Sequence, residues 1–281
     1  MTDAELPDKY VNKIICGDAL SVMADWPDGC VDLVVTSPPY GHVRDYNGFE
    51  VDIYAVIEQI ARLLKQGGCC VWNEADQVVN GSETGASFSH ALHAKSLGLL
   101  LHDTMIYCKE GVTFPDANRY HPAFEYMFVL SKGKPKYFNG IRDWKNKWGG
   151  SAMHGTNRQP DGTTTPIKGI KHNRKVSEYG LRRNWWVISN PYTGETSGHP
   201  APMPKQMAHD HIVTWCEDGD LVVDPLCGSG TTCVAAKMLG RNYIGIDISE
   251  EYCQIARDRL KALDTGVPVA EAKAGQMGLF P

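Results

Sequence analysis

The chain lacks the motifs of a metal enzyme or a nucleotide triphosphatase. Its nine cysteines, at 16, 30, 69, 70, 108, 216, 227, 233 and 253, include no C-x-x-C pair, which excludes zinc-ribbon and thioredoxin-like spacings. Most stand inside apolar runs and read as buried thiols. The ten histidines contain no H-E-x-x-H, and the near pairs His90/His93 and His209/His211 lack the carboxylate spacing that completes a metal shell, so no metal is expected. No G-x-x-x-x-G-K-[ST] lysine awaits a triphosphate, and the third glycine of a dinucleotide G-x-G-x-x-G is missing. No apolar run approaches a membrane span, and the polar start MTDAELPDKY has no signal-peptide core, so no membrane partner and a cytoplasmic location are expected.

What is present is an ordinary globular composition with an uneven charge. Of 281 residues, 42% are hydrophobic and 22% charged, enough for one large domain carrying an insertion. The net charge of -5 conceals a basic block: residues 132–183 hold thirteen Lys and Arg against Asp143, Asp161 and Glu178, or +10, leaving -15 elsewhere. Segregated positive charge is the footprint of a polyanion partner, although a solvated lysine-rich loop gives the same count.

Periodicity predicts a doubly wound α/β fold. Strands are expected at 14–16, 31–35, 69–72, 104–108 and 124–130, with helices at 53–65 and 87–95 between them. The pattern dissolves over 131–196 into Gly, Asn, Thr, Lys and Arg punctuated by Trp144, Trp148, Trp185 and Trp186. Those tryptophans give an insertion something to pack, and for Trp185 and Trp186 a core position is expected. The alternation resumes with helix 205–216, strand 221–223, helix 231–239, strand 243–246 and helix 250–263, before an Ala- and Gly-rich tail over 264–281 that is expected to be mobile.

Two motifs carry chemistry. Ser37-Pro38-Pro39-Tyr40 follows the apolar run at 31–35, and its two prolines stop both strand and helix while holding backbone carbonyls rigid at a strand's carboxyl end. In open α/β sheets that edge binds ligands. Far downstream, Asp224 and the small-residue loop Cys227, Gly228, Ser229, Gly230, Thr231 lie between a strand and a helix whose amino terminus offers unpaired N–H groups to an anion. Asp247 closes the next strand, where a carboxylate accepts hydrogen bonds from a ribose diol. With no pyrophosphate or triphosphate signature, S-adenosyl-L-methionine fits this set best. Singly, each element has a plainer reading: a turn for the tetrad, a helix cap for Asp18 or Asp247. Their joint order argues against coincidence.

That order, Gly17-Asp18, Thr36-Ser37-Pro38-Pro39-Tyr40, His199-Pro200-Ala201-Pro202-Met203-Pro204, Asp224 to Thr232, then Gly245-Ile246-Asp247, resembles the permuted β class of SAM-dependent DNA amino-methyltransferases over about residues 12 to 262. The resemblance implies a Rossmann-like methyltransferase sheet, mostly parallel with helices on both faces. It divides the chain into a catalytic half at 12–130, a basic target-recognition insertion at 131–196 and a SAM-binding half at 197–263. It also implies sites. Asp224 with Cys227, Gly228, Ser229, Gly230 and Thr231 would hold the methionine end, Asp247 the ribose, Asp18 the adenine amino group, and His199 and Met203 the rest of the cofactor pocket; the family often has Phe where Met203 stands.

The acceptor would be an exocyclic amine, N6 of adenine or N4 of cytosine, on a base extruded from double-stranded DNA. Such a nitrogen delocalises its lone pair into the ring, so rigid acceptors on both N–H bonds favour attack. The Ser37 hydroxyl and the Pro38 carbonyl are the candidates, fixed by Pro39, with Tyr40 as a stacking face. C5-cytosine chemistry needs a nucleophilic thiol in a Pro-Cys pair, which the chain lacks. Arg142, Lys145, Lys147, Lys171, Arg174, Lys175, Arg182 and Arg183 are the expected DNA contacts, with Asn146, Asn157 and Asn173 able to read bases. The resemblance further implies a homodimer, acting either with a restriction endonuclease or alone. An RNA or protein-amide methyltransferase and a non-catalytic nucleic-acid-binding module are the alternatives.

Overall fold

The computed structural model describes residues 6–39, 51–110, 118–153, 155–167, 174–189 and 202–267. In chain order the elements of the first part are β1 (Lys13–Cys16), α1 (Ala19–Ala24), β2 (Val31–Thr36), α2 (Ile53–Leu63), β3 (Leu64–Glu74), the two-residue strands β4 (Val78–Val79) and β5 (Ser82–Glu83), α3 (Ala86–Ser96), β6 (Leu100–Lys109) and β7 (Phe124–Ser131). Four short strands follow: β8 (Trp144–Lys145), β9 (Thr156–Arg158), β10 (Thr164–Pro166) and β11 (Tyr179–Gly180). The last part holds β12 (Trp185–Ile188), α4 (Lys205–Trp215), β13 (Leu221–Asp224), α5 (Thr231–Met238), β14 (Asn242–Asp247) and α6 (Glu250–Thr265).

Eight strands form one sheet in the order β1-β14-β13-β2-β3-β7-β6-β12. Only β7 runs against its neighbours; all the other pairs are parallel. Side chains alternate across it. Leu33 and Val35, Cys69 and Val71, Met127 and Val129 face α4, α5 and α6, whereas Val34, Cys70, Trp72, Phe128 and Leu130 face α1, α2 and α3. Both faces are therefore covered, which is why the strands read as continuous apolar runs. α2 shows the local logic: Val56, Ile57, Ile60 and Leu63 make one buried stripe, and the Asp52 carboxylate caps its start by accepting from Ala55 N at 3.1 Å.

The span 131–196, read as one insertion, divides. Residues Gly140–Arg183 form a compact unit of their own, built of the antiparallel pairs β8–β11 and β9–β10, while residues on either side belong to the main unit. On the amino-terminal side Lys136 reaches Asp32 at 2.7 Å and Asp220 at 2.9 Å. On the other side β12 joins the main sheet through Trp185↔Ile106 to Ile188↔Lys109. Strand alternation there corrects the expectation for one tryptophan: Trp186 is buried, but Trp185 points to the opposite face and is 44% exposed. The tail from 268 lies outside the described residues.

Candidate active site

Because β1, β2, β3, β13 and β14 are mutually parallel, their carboxyl ends share one edge. That edge collects Asp18, Ser37 to Pro39, Asn73 and Glu74, Asp224 and Asp247. Neighbouring strands β2 and β13 are also tied by side chains: the Thr36 hydroxyl donates to Asp224 Oδ1 at 2.8 Å, and Thr232 at the start of α5 donates to Val35 O at 3.0 Å. The strand that ends in the tetrad and the loop of small residues are thus fastened to each other immediately before both diverge from the sheet.

The loop is closely packed, its glycines Gly228 and Gly230 buried along with its side chains. Asp224, Cys227, Ser229 and Thr231 are all buried. Asp224 also accepts from Leu226 N, and burial pushes its carboxyl up to about 6 against the opposing hydrogen bonds. The Cys227 thiol is raised well above its ordinary value by burial, so it is no nucleophile. Gly230 stands at the N-cap of α5 with φ 77°, and a Cβ there would come 2.6 Å from Ala256 Cβ, so only glycine lets α6 press against the loop. No side chain caps that helix, which leaves its first N–H groups directed at the edge. Asp247 spans the same loop, accepting from Gly228 N at 2.8 Å and from Ser249 N at 2.9 Å. Burial raises its carboxyl as well.

Asp18 is both exposed and a helix cap. Its Oδ1 accepts from Ser21 N at 2.8 Å and Ser21 Oγ at 2.6 Å, and the Ser21 hydroxyl holds the carboxyl below its usual range. Met203 is partly buried against the core on the α4 side. Tyr40, His199, Lys171 and Asn173 lie outside the described residues.

Three residues that motif reading missed belong to the site. Asn73 Nδ2 donates to Glu125 Oε2 at 2.6 Å and, over a longer 3.3 Å, to Ser37 Oγ; Lys109 continues the chain onto Glu125 at 2.6 Å. Beneath the loop, Arg259 of α6 is 5% exposed and its Nη1 donates to Ser229 O at 2.6 Å, Thr231 Oγ1 at 3.2 Å and Ser229 Oγ at 3.4 Å. Asn73 carried a signal in the sequence, as a polar residue directly after an apolar strand. Glu125 and Arg259 carried none, since a strand and an amphipathic helix both tolerate such residues on a solvent face.

One cluster invites a metal reading. Cys16, Glu250 and Cys253 place ligand atoms within 4.8 Å of one another. Yet Cys16 Sγ faces Ile248 O and Cys253 Sγ faces Asp247 O at 3.4 Å, Glu250 is paired with Arg257 at 2.6 Å, and burial pushes the Cys253 thiol up to about 12. Carbonyls facing the sulfurs favour S–H over thiolate, so the cluster is built as a hydrogen-bonded joint between β1 and α6.

In the smaller unit, Arg142, Lys145, Lys147, Arg174, Lys175 and Arg183 are exposed. Arg182 is turned onto Asp143, with Nε to Oδ2 at 2.9 Å, and Arg183 lies over the Trp144 ring at 5.1 Å. Asn146 spends its amide on Ser177 O at 2.8 Å. Among the described residues no helix is long and apolar enough to cross a membrane.

Comparison with known proteins bears on the whole chain. The profile of the N6_N4_Mtase family, described as DNA methylase, matches residues 31–258. The orphan methyltransferase M.BamHII of Bacillus amyloliquefaciens is 46% identical over 83% of this chain and 90% of its own. The type II methyltransferase M.SmaI of Serratia marcescens is 28% identical over 88% and 90%. Among solved structures, TTHA0409 of Thermus thermophilus in complex with S-adenosyl-L-methionine aligns with a TM-score of 0.60 at 27% identity, covering 90% of this chain and 93% of that one. The cytosine-N4-specific PvuII DNA methyltransferase shares the fold, with a TM-score of 0.63 at 18% identity over 94% and 93%.

Proposed function

Since the chain belongs to the N6_N4_Mtase family of DNA methylases, we propose that it methylates an exocyclic amine, N6 of adenine or N4 of cytosine, at a specific sequence in double-stranded DNA. The observation that carries this reading is the junction of two parts: Ser37-Pro38-Pro39 leaves the sheet beside the small-residue loop, with Thr36 bonded to Asp224 beneath them.

S-adenosyl-L-methionine is the methyl donor, presenting an electrophilic methyl group on a sulfonium. The donor set fits it. The uncapped amino terminus of α5 suits a carboxylate, with the Arg259 guanidinium adding positive charge from below. Asp247 uses each carboxylate oxygen once within the protein, and each retains a lone pair for a ribose hydroxyl. Asp18, Met203 and His199 complete the cofactor assignment.

Ser37 Oγ and Pro38 O accept the two N–H bonds of the target amine, which pulls its lone pair out of the ring and toward the methyl carbon. Asn73 holds Ser37 for that task. With S-adenosyl-L-methionine bound, its sulfonium would supply the methyl carbon and keep the electron pair of the broken carbon–sulfur bond, and the amine nitrogen would give up one N–H proton to water. Tyr40 stacks on the extruded base. The chain acts as a homodimer in the cytoplasm under the same reading.

The test is mass spectrometry of nucleosides from unmethylated DNA incubated with enzyme and S-adenosyl-L-methionine. Either N6-methyladenine or N4-methylcytosine is expected, and identifies the base. Ser37→Ala should reduce turnover by about a hundredfold or more, the scale for one transition-state acceptor, while calorimetric cofactor affinity stays unchanged. DNA carrying neither methylated base would overturn the proposal.

A further inference from the structure

Of the seven tryptophans, Trp148 is the most exposed, at 67%. It sits in the compact unit Gly140–Arg183, where ten Lys and Arg face three acids. A tryptophan left in water forgoes the burial that its ring area would provide, so its surroundings must hold it out. They do so through the turn at 147–150. Asn146 N donates to Glu178 O and Gly150 N donates to Val176 O, both at 2.8 Å, while the Trp148 carbonyl accepts from Ser151 N and Ser151 Oγ. At Gly149 a Cβ would come 2.8 Å from Glu178 Cα, so the turn lies flat against that backbone. The Lys147 ammonium stands over the Trp148 ring at 5.2 Å, placing a positive charge beside the aromatic face.

An outward tryptophan on a pinned turn, with the Lys147 ammonium over its ring, suits a partner that offers both flat π-faces and phosphates. We infer that Trp148, with Lys147, is a DNA-contacting element that stacks on or wedges against a base of the duplex. This inference rests on the DNA reading of the preceding section and adds a residue absent from the basic contacts expected there. The alternative occupant for an exposed tryptophan is a second copy of this chain.

The test compares the full-length wild type with Trp148→Ala, Trp148→Phe and Lys147→Gln. Its probes are unmethylated linear plasmid DNA in filter binding, calorimetry with S-adenosyl-L-methionine, and sedimentation. Trp148→Ala is expected to weaken DNA binding by about tenfold to a hundredfold, the effect of removing one stacking aromatic. Trp148→Phe should recover most of that loss, and cofactor affinity and thermal midpoint should hold. DNA should quench tryptophan emission in the wild type more than in Trp148→Phe. Binding of Trp148→Ala within about twofold of wild type overturns the inference, as does dissociation of a dimer that accounts for the whole loss. Wild-type DNA that gains no methyl group would instead sink the reading on which it rests.

Discussion

Thr36 and Asp224, 188 positions apart, share a buried hydrogen bond of 2.8 Å where neighbouring strands β2 and β13 end. One residue precedes the Ser37-Pro38-Pro39 segment and the other opens the small-residue loop. The bond makes the spacing between the Ser37-Pro38-Pro39 segment and the Cys227–Thr231 loop a property of the sheet rather than of either loop. It also places a carboxyl where water does not reach.

That burial has a pH signature. The folded Asp224 carboxyl titrates at about 6, above an unfolded value of about 3.9, so folding takes up a proton between those limits. Its contribution to stability is therefore greatest below the unfolded value and is lost as pH rises through about 6. Asp224→Asn keeps an acceptor for Thr36 and Leu226 without the charge. Relative to wild type it should gain roughly 3 kcal/mol between about pH 4 and 7, because each tenfold change in proton affinity is worth about 1.4 kcal/mol. Urea denaturation across that range checks this, and parallel stability curves for the two proteins would refute it.

Arg259 should matter most to the cofactor. Replacing it with Met takes a buried donor away from Ser229 O and Thr231 Oγ1, a loss of about 1–3 kcal/mol. The loop should loosen and the positive charge beneath it vanish. Calorimetry is expected to show S-adenosyl-L-methionine binding weakened by about tenfold or more, with DNA affinity close to wild type. Equal weakening toward both ligands would point to general unfolding instead.

Asn73 should act on turnover and not on cofactor binding. Asn73→Ala removes one restraint on the Ser37 hydroxyl and the amide bond to Glu125, while the Lys109–Glu125 pair stays in place. A fall in kcat of about tenfold with unchanged cofactor affinity is expected, from the loss of one positioning hydrogen bond worth about 1.4 kcal/mol. An unchanged kcat would remove Asn73 from the site.

A stability prediction concerns the edge opposite the site. Asp32, 2% exposed, accepts from Leu221 N, Lys65 and Lys136, and although burial opposes it, these donors hold the carboxyl below its usual range. Asp32→Ala would take the buried acceptor away from Leu221 N and Lys65 while Lys136 keeps Asp220, a loss of about 1–3 kcal/mol. Chemical denaturation should register that loss, whereas Lys134→Ala should change little.

Much of the fold is legible directly. Residues 31–35, 69–72 and 124–130 are strands because an apolar run covered on both faces has few other solutions, and the helix around 53–65 follows from its stripe. α1 is hidden in the sequence because six residues leave little periodicity, and the Asp18 that caps it doubles as an expected cofactor ligand. β12 is hidden because the basic composition around it masks a four-residue strand. By charge alone Lys136 counts toward a DNA footprint; its partners Asp32 and Asp220 show instead that it braces the main unit.

By itself the sequence determined the pieces and their order: a proline stop after one apolar strand, a basic middle, and a glycine loop between strand and helix. Those features are local, since proline, glycine and hydrophobic periodicity constrain the backbone wherever they stand. Only the tertiary structure decided which pieces meet. Thr36 reaches Asp224, Asn73 reaches Ser37 and Arg259 reaches Ser229 because strand order and helix packing bring distant positions to one edge, and register is a non-local property that no short pattern encodes.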